Sequence, residues 1–254
     1  MINTSVYLLT NVFCKDNVML LIRSLLFFIF LNLWTVLVSL VGTPLLFAPS
    51  KVTALVGHVW SNGVIFALRW ICNLRYEVRG KEHLPEGKYI IASKHQSAWD
   101  TVIFLKMFRA PSYILKKELV KIPFYGWYLP AMGMIAIDRD GGASALKDMV
   151  KTSKKRLDEG RPVVIFPEGT RTLPGAEVEY QPGISALYMQ AHVPIVPAAV
   201  NSGLFWKKGQ FIKNPGKITL EYLPPIQPGL KRREFMEQLH TSIETASAKL
   251  INAD

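Results

Sequence analysis

Two side chains suited to proton transfer stand close together in the stretch Ala92-Ser93-Lys94-His95-Gln96-Ser97-Ala98-Trp99-Asp100-Thr101: His95 and, five positions on, Asp100. A histidine has an ordinary pKa of about 6.5, so near neutral pH its uncharged ring can take a proton from a poor nucleophile such as an alcohol. A carboxylate within reach of one ring nitrogen would fix the tautomer and leave the other nitrogen free to accept. Asp100 also has a plainer explanation. Ser97-Ala98-Trp99-Asp100 fits a capping box, whose polar side chains satisfy free backbone N–H groups at the start of a helix. A His-x4-Asp spacing is short enough to arise by chance. The other polar stretches have to decide between the two.

Three such stretches follow. Phe166-Pro167-Glu168-Gly169-Thr170-Arg171 comes directly after the apolar run Val163 to Phe166. Pro167 ends ladder pairing, Gly169 permits a tight turn, and Arg171 then presents a planar fork suited to phosphate. Taken alone, this is equally a strand-ending turn with a surface arginine. Gly133-Met134-Ile135-Ala136-Ile137-Asp138-Arg139 ends another apolar run in a charged pair, and Lys116-Lys117-Glu118-Leu119 follows a third, adding cations to the same rim. No Gly-x-Ser-x-Gly elbow occurs, and neither cysteine, Cys14 or Cys72, has a histidine nearby in the sequence to act as its base, which argues against a covalent acyl-enzyme. The remaining histidines, His58, His83, His192 and His240, lack ligand-spaced partners and are expected in structural or solvated roles.

These groups need elements to hold them. Short apolar runs alternate with helical patterns after residue 72: Tyr76 to Val78, Tyr89 to Ala92, Tyr113 to Leu115, Met134 to Ile137, Val163 to Phe166, Ile195 to Val200 and Ile218 to Tyr222. That alternation predicts an α/β domain with a mixed sheet flanked by helices. Leu146, Met149, Val150, Ser153 and Leu157 mark one helical face, stopped by Gly160. Phe235, Leu239, Ile243, Ala246 and Leu250 mark a second face near the C-terminus, one expected to pack.

Upstream, no charge interrupts Ser24 to Phe47, a run long enough to cross about 30 Å of hydrocarbon. It starts too late and runs too long for a cleavable signal. A second apolar stretch, Val52 to Ile71, carries polar residues and reads as interfacial or re-entrant. Pro44, Pro49 and Ser50 join the two as a membrane-embedded helical hairpin over residues 1–71, ahead of one catalytic domain over residues 72–254, with a hairpin that belongs to the core as the alternative. Arg69, Arg75, Arg79 and Lys81 crowd the exit from the hairpin, so the positive-inside rule places that domain on the cytoplasmic face.

A formal net charge of +11 on 254 residues implies anionic partners: lipid headgroups, phosphorylated substrates or nucleic acid. No groove-reading or base-stacking motif accompanies the charge, so nucleic acid is not expected. Two unspaced cysteines suggest neither a disulfide framework nor a zinc site.

His-x4-Asp, Ile-Asp-Arg, Phe-Pro-Glu-Gly-Thr-Arg and Val193-Pro194-Ile195-Val196-Pro197 occur in this order, each beside an expected strand. In this the chain resembles the glycerolipid acyltransferases, most closely the bacterial 1-acylglycerol-3-phosphate acyltransferases of the PlsC type, over roughly Tyr76 to Leu223. The resemblance implies that His95 is the general base and Asp100 its support. It implies that Glu168, Gly169, Thr170 and Arg171 help bind the glycerol phosphate of the acceptor, assisted by Arg139 and Lys117, and that the Val193 to Pro197 strand lines the site. It further implies an enzyme of the bacterial inner membrane that meets anionic lipids, uses acyl-CoA or acyl-carrier protein as donor and lysophosphatidic acid as acceptor, and needs no metal or bound cofactor. A different lysolipid or glycerol 3-phosphate as acceptor, and a non-catalytic module that holds anionic lipids, remain alternatives. Arg139 and Arg171 favour an acceptor that bears phosphate.

Overall fold

The structure, a computed structural model, describes residues 4–253, with side chains from Asn17 onward. Helix α1 (Thr4–Gly42) runs through a Leu- and Phe-rich stretch with neither glycine nor proline to interrupt it. Gly42 and Pro44 end it in a 3-10 turn (Thr43–Phe47), where the Thr53 hydroxyl donates to the Leu45 carbonyl at 2.7 Å, and α2 (Ser50–Ile71) starts after Pro49. The two helices make the expected hairpin. Trp34 Nε1 donates to the Trp60 carbonyl at 3.0 Å and Trp60 Nε1 to the Thr35 hydroxyl at 2.9 Å. Only glycine fits at position 63, where a Cβ would lie 2.3 Å from the Trp34 ring.

The described chain then builds a seven-stranded mixed sheet with the order β1 (Leu74–Arg79), β7 (Gly216–Tyr222), β6 (Ile195–Val200), β2 (Ile90–Ser93), β5 (Val163–Ile165), β3 (Ser112–Lys116), β4 (Ile135–Ile137). Pairings are parallel except β6 with β7. Every expected strand is present, within a residue or two at its ends. Helices α3 (Trp99–Met107), α4 (Tyr125–Ala131), α5 (Gly142–Asp158), α6 (Pro182–Ala191) and α7 (Arg232–Asn252) complete the fold.

Alternate strand residues divide the core. Ile91, Val164 and Val196 pack with α2, α3 and α4 on one face; Ile90, Ala92, Val163, Ile165 and Ile195 pack with α5, α6 and α7 on the other. The hairpin shares the first of these cores. Phe27, Val56, Val64, Ile65 and Leu68 are buried in one cluster with Ile103, Leu129 and Leu220. α2 is therefore a core helix on its inner face, and its outer residues Val52, Leu55, Val59, Phe66 and Trp70 stay exposed.

Both ends of the hairpin are tied to the sheet domain. At its root, the Lys213 amide donates to Ser24 Oγ at 2.9 Å. At its turn, the buried Arg161 donates to Ser50 Oγ at 3.1 Å, to the Ala110 carbonyl at 2.9 Å, and to the Pro111 and Met132 carbonyls. Burial pushes the Arg161 guanidinium down to about 10, with Arg156 adding repulsion and Glu159 opposing it. The stretch Asn17–Phe47 is long and apolar enough to cross a membrane, yet its far end rests on the same domain as its start. Cys72 is buried; Cys14 lies outside the residues whose side chains are described.

Candidate active site

Parallel neighbours β2, β5, β3 and β4 release their chains at one edge of the sheet, where α/β proteins bind ligands. His95 follows β2, Glu168 to Arg171 follow β5, Lys116 ends β3 with Lys117 just after it, and Asp138 and Arg139 follow β4. Of these, His95, Lys116, Asp138, Arg139, Gly169, Thr170 and Arg171 border a cavity of about 650 Å³. Its walls are mainly apolar, with Leu105, Tyr113, Leu129, Met134, Leu146, Met149 and Ile165 among them, and its polar groups include His95, Thr101, Lys116, Arg139, Thr170 and Arg171.

His95 Nδ1 lies 2.9 Å from Asp100 Oδ2. The carboxylate can only accept, so Nδ1 carries the proton and Nε2 is the ring nitrogen left for the cavity. The ring plane is set by Phe166, stacked at 4.0 Å between centroids and 21° between planes. Asp100 is wholly buried and saturated: the Gln96 and Ser97 amides donate to Oδ2 at 2.7 and 2.8 Å, and Ser202 Oγ donates to Oδ1 at 2.5 Å. Capping and orientation are thus not rivals. One carboxylate oxygen serves the helix start and the imidazole together. The serine half of the box is displaced by one residue, since Ser97 Oγ accepts from the Trp99 amide at 3.1 Å.

The backbone of His95 is held on both sides by the segment after β5. Glu168 Oε1 accepts from the His95 amide at 3.1 Å, and the Thr172 amide and hydroxyl donate to the His95 carbonyl at 2.8 and 3.1 Å. Lys94, itself 1% exposed, reaches Glu168 at 3.5 Å and both oxygens of Glu244 on α7 at 2.7 Å, where Tyr180 also donates at 2.8 Å. Burial raises the Glu168 carboxyl to about 7, with Lys94 opposing the shift. Gly169, at φ +70°, makes the turn that brings Thr170 and Arg171 to the cavity, and a Cβ there would lie 3.4 Å from the Arg139 guanidinium. Arg139 lies exposed at the rim of the cavity, and desolvation by its neighbours holds it below the usual guanidinium range while Glu118 opposes. Neither Arg139 nor Arg171 forms an ion pair among the described residues. Two unneutralised guanidinium groups at the edge of an apolar cavity suit an anionic head on a hydrocarbon chain.

Residues 75–201 match the model of the acyltransferase family. The chain belongs to the acyltransferase family. A 1-acyl-sn-glycerol-3-phosphate acyltransferase from Pseudomonas aeruginosa is 38% identical over 209 residues, covering 81% of this chain and 80% of its own length. One from Limnanthes alba is 34% identical over 176 residues, covering 68% of this chain and 60% of its own length. The crystal structure of the acyltransferase PlsC from Thermotoga maritima shares the fold, with a TM-score of 0.74, 22% identity, and coverage of 90% of this chain and 96% of that one.

Within this acyltransferase fold some expected site residues lie elsewhere than the sequence suggests. Glu168 turns its carboxylate inward, away from the cavity, to Lys94 and the His95 amide. Lys117 is exposed and pairs with Asp138, and it is Lys116 that borders the cavity. The Val193 to Pro197 segment does not border the cavity either. β6 runs beneath the site, pairing with β2, and its Ala198 carbonyl accepts from the Lys94 amide at 2.8 Å. Sequence reasoning passed over Lys94, Tyr180, Ser202 and Glu244. For Lys94 and Ser202 a signal exists, a polar residue within two positions of the end of a mainly apolar strand; Glu244 carries none on its amphipathic helix. Of the other histidines, His58 contacts the Leu105 carbonyl at 3.0 Å, His83 the Tyr222 carbonyl at 2.9 Å, and His240 the Tyr180 ring.

Proposed function

We propose that the protein moves a fatty acyl group from an acyl thioester to the sn-2 hydroxyl of lysophosphatidic acid, giving phosphatidic acid, with His95 as general base. The observation that carries this reading is the His95 ring, locked through Nδ1 on Asp100, at the wall of an apolar cavity that also holds Arg139 and Arg171. The names of the relatives from Pseudomonas aeruginosa and Limnanthes alba support the same acceptor.

In this reading the arginines anchor the acceptor phosphate, the apolar walls take an acyl chain, and the acceptor hydroxyl meets His95 Nε2. Nε2 removes the hydroxyl proton as the oxygen attacks the thioester carbonyl. Asp100 supports the imidazolium that forms, and collapse of the tetrahedral intermediate expels a thiolate that takes the proton back. No acyl-enzyme, metal or bound cofactor enters these steps. Acyl-CoA or acyl-carrier protein serves as donor substrate, and the exposed apolar face of α1 sits in anionic lipid, with Arg69, Arg75, Arg79 and Lys81 keeping the site on the cytoplasmic side of the inner membrane.

Mass-spectrometric detection of labelled acyl transfer tests the proposal, using a panel of lysolipid acceptors with both kinds of donor. Phosphatidic acid should be the main product, and His95→Ala should lower turnover by about 10² to 10⁴ with membrane association intact. Wild-type turnover in that variant removes His95 from the mechanism; a preferred acceptor without phosphate overturns the substrate assignment.

A further inference from the structure

Asp100 reaches His95 with one oxygen, and the other oxygen belongs to a residue outside the stretch that matches the family model. Ser202 Oγ donates to Asp100 Oδ1 at 2.5 Å, and both residues are wholly buried. We infer that Ser202 is a positioning residue for the reaction, the third member of a Ser202–Asp100–His95 chain that holds the carboxylate in the one orientation able to support the imidazole. The inference rests on the assignment of His95 as base.

The segment that carries Ser202 is built to hold it still. Immediately after β6, the Asn201 side-chain oxygen accepts from the Thr219 amide on β7 at 2.8 Å, and the Ser202 carbonyl accepts from the Phe205 and Trp206 amides at 3.2 and 3.0 Å. The Gly203 amide donates to Gln96 Oε1 at 3.0 Å, one residue from His95. A side chain at Gly203 would lie within 3.0 Å of Gln96 and Pro174, so the loop is pressed against the catalytic segment. Ser202 does not border the cavity. It cannot touch substrate and must act through Asp100.

Its contribution follows from the division of labour on the carboxylate. Oδ2 accepts from three donors, His95 Nδ1 and two amides, and all three need it in one place. Oδ1 has the Ser202 hydroxyl. Without that hydroxyl a buried anionic oxygen loses its donor, which weakens the ionised form and loosens the side-chain torsion that aims Oδ2. The imidazolium forms only during the reaction, so the loss falls on turnover and not on substrate binding.

A double-mutant cycle on purified full-length enzyme in vesicles tests this, with kcat and both KM values measured for wild type, Ser202→Ala, Asp100→Asn and the double variant. Ser202→Ala should lower kcat about tenfold, leave both KM values within about twofold, and change the kcat of Asp100→Asn by less than about twofold, because the charge it serves is already gone. Ser202→Thr, which restores the hydroxyl, should recover most of the loss. A Ser202→Ala kcat within twofold of wild type overturns the inference, and so does a loss that recurs in full in the Asp100→Asn background, since a merely structural defect would add. If Ser202→Ala does not accumulate as folded protein, Ser202→Cys, of similar size and a weaker donor, enters the cycle with the same criteria. Full activity of Asp100→Asn alone is a different result: it removes the dyad reading itself.

Discussion

Asp100 shows how a single carboxylate can serve two needs that look exclusive in sequence. Because Oδ2 faces two backbone N–H groups, an asparagine there must turn its oxygen, not its NH2, toward them and therefore toward His95. Asp100→Asn then keeps the helix start and the Nδ1–H tautomer and loses only the charge. Turnover should fall steeply, on the order of 10² or more, with thermal stability nearly unchanged, as calorimetry alongside kinetics would show. Glu168 makes a separate case. Its carboxyl is raised to about 7 from an ordinary 4.5, chiefly by burial, so between those pH values the folded protein holds a proton that the unfolded chain has lost. The group's contribution is complete below the unfolded value and declines as pH rises toward 7. The melting-temperature difference between wild type and Glu168→Gln should therefore shrink or reverse from pH 5 to pH 7.5. The glutamine can still accept from the His95 amide, so its acceptor KM should stay within about threefold of wild type; a large rise would return Glu168 to the acceptor phosphate. His95, Asp100 and Arg171 were legible because their residue types announce chemistry. The inward turn of Glu168 was not, since its partner Lys94 lies 74 positions away just after β2 and no local pattern marks the pair.

At the scale of elements, the site is a consequence of strand order. Positions 95, 116, 139 and 171 are scattered along the chain, and the parallel neighbours β2, β5, β3 and β4 deliver them to one rim. Apolar runs bounded by turn residues made the strands readable, but order depends on pairings between distant segments and is invisible in a local pattern. The segment after β5 is central to that rim. Thr172 ties it to the His95 carbonyl and Lys208 donates to the Arg171 carbonyl at 2.7 Å, so the Arg171 backbone is fixed while its guanidinium stays free for a ligand. Arg171→Lys keeps the charge and loses the planar fork. It should raise KM for lysophosphatidic acid by about tenfold, within the roughly 1–3 kcal/mol of a charge-assisted hydrogen bond, with a smaller change for the donor. Steady-state kinetics with each substrate varied in turn separates the choices, and a defect confined to the donor would assign Arg171 to the donor.

For the whole molecule, the question is what the hairpin does when it is also part of the core. A division at residue 71 predicts that deleting residues 1–71 releases a soluble catalytic domain. The packing predicts otherwise. Val56, Val64, Ile65 and Leu68 are each buried against the sheet domain, and burial of such a side chain is worth about 1.5–3 kcal/mol, so four of them together rival the whole stability of a typical domain. Deletion should leave insoluble protein with no cooperative melt. The outward face is separable from this: Leu33, Leu37, Leu40 and Val41 on α1 are 67, 53, 59 and 73% exposed, so they contribute little to the fold and are available for the lipid contact proposed above. Because the Ser50 end of the hairpin is fastened to Arg161, the helix lies along the domain, and this face can enter one leaflet without the far end leaving the domain. Replacing Leu33, Leu37 and Leu40 with glutamate should cut flotation with anionic vesicles at least tenfold while the melting transition survives. Activity toward a short-chain, water-dispersed acceptor should persist, and activity toward long-chain acceptor in vesicles should fall. A folded triple variant that still floats with vesicles would move the anchor to the basic surface of the sheet domain, and a soluble, cooperatively melting 72–254 fragment would show that α2 is dispensable to the core.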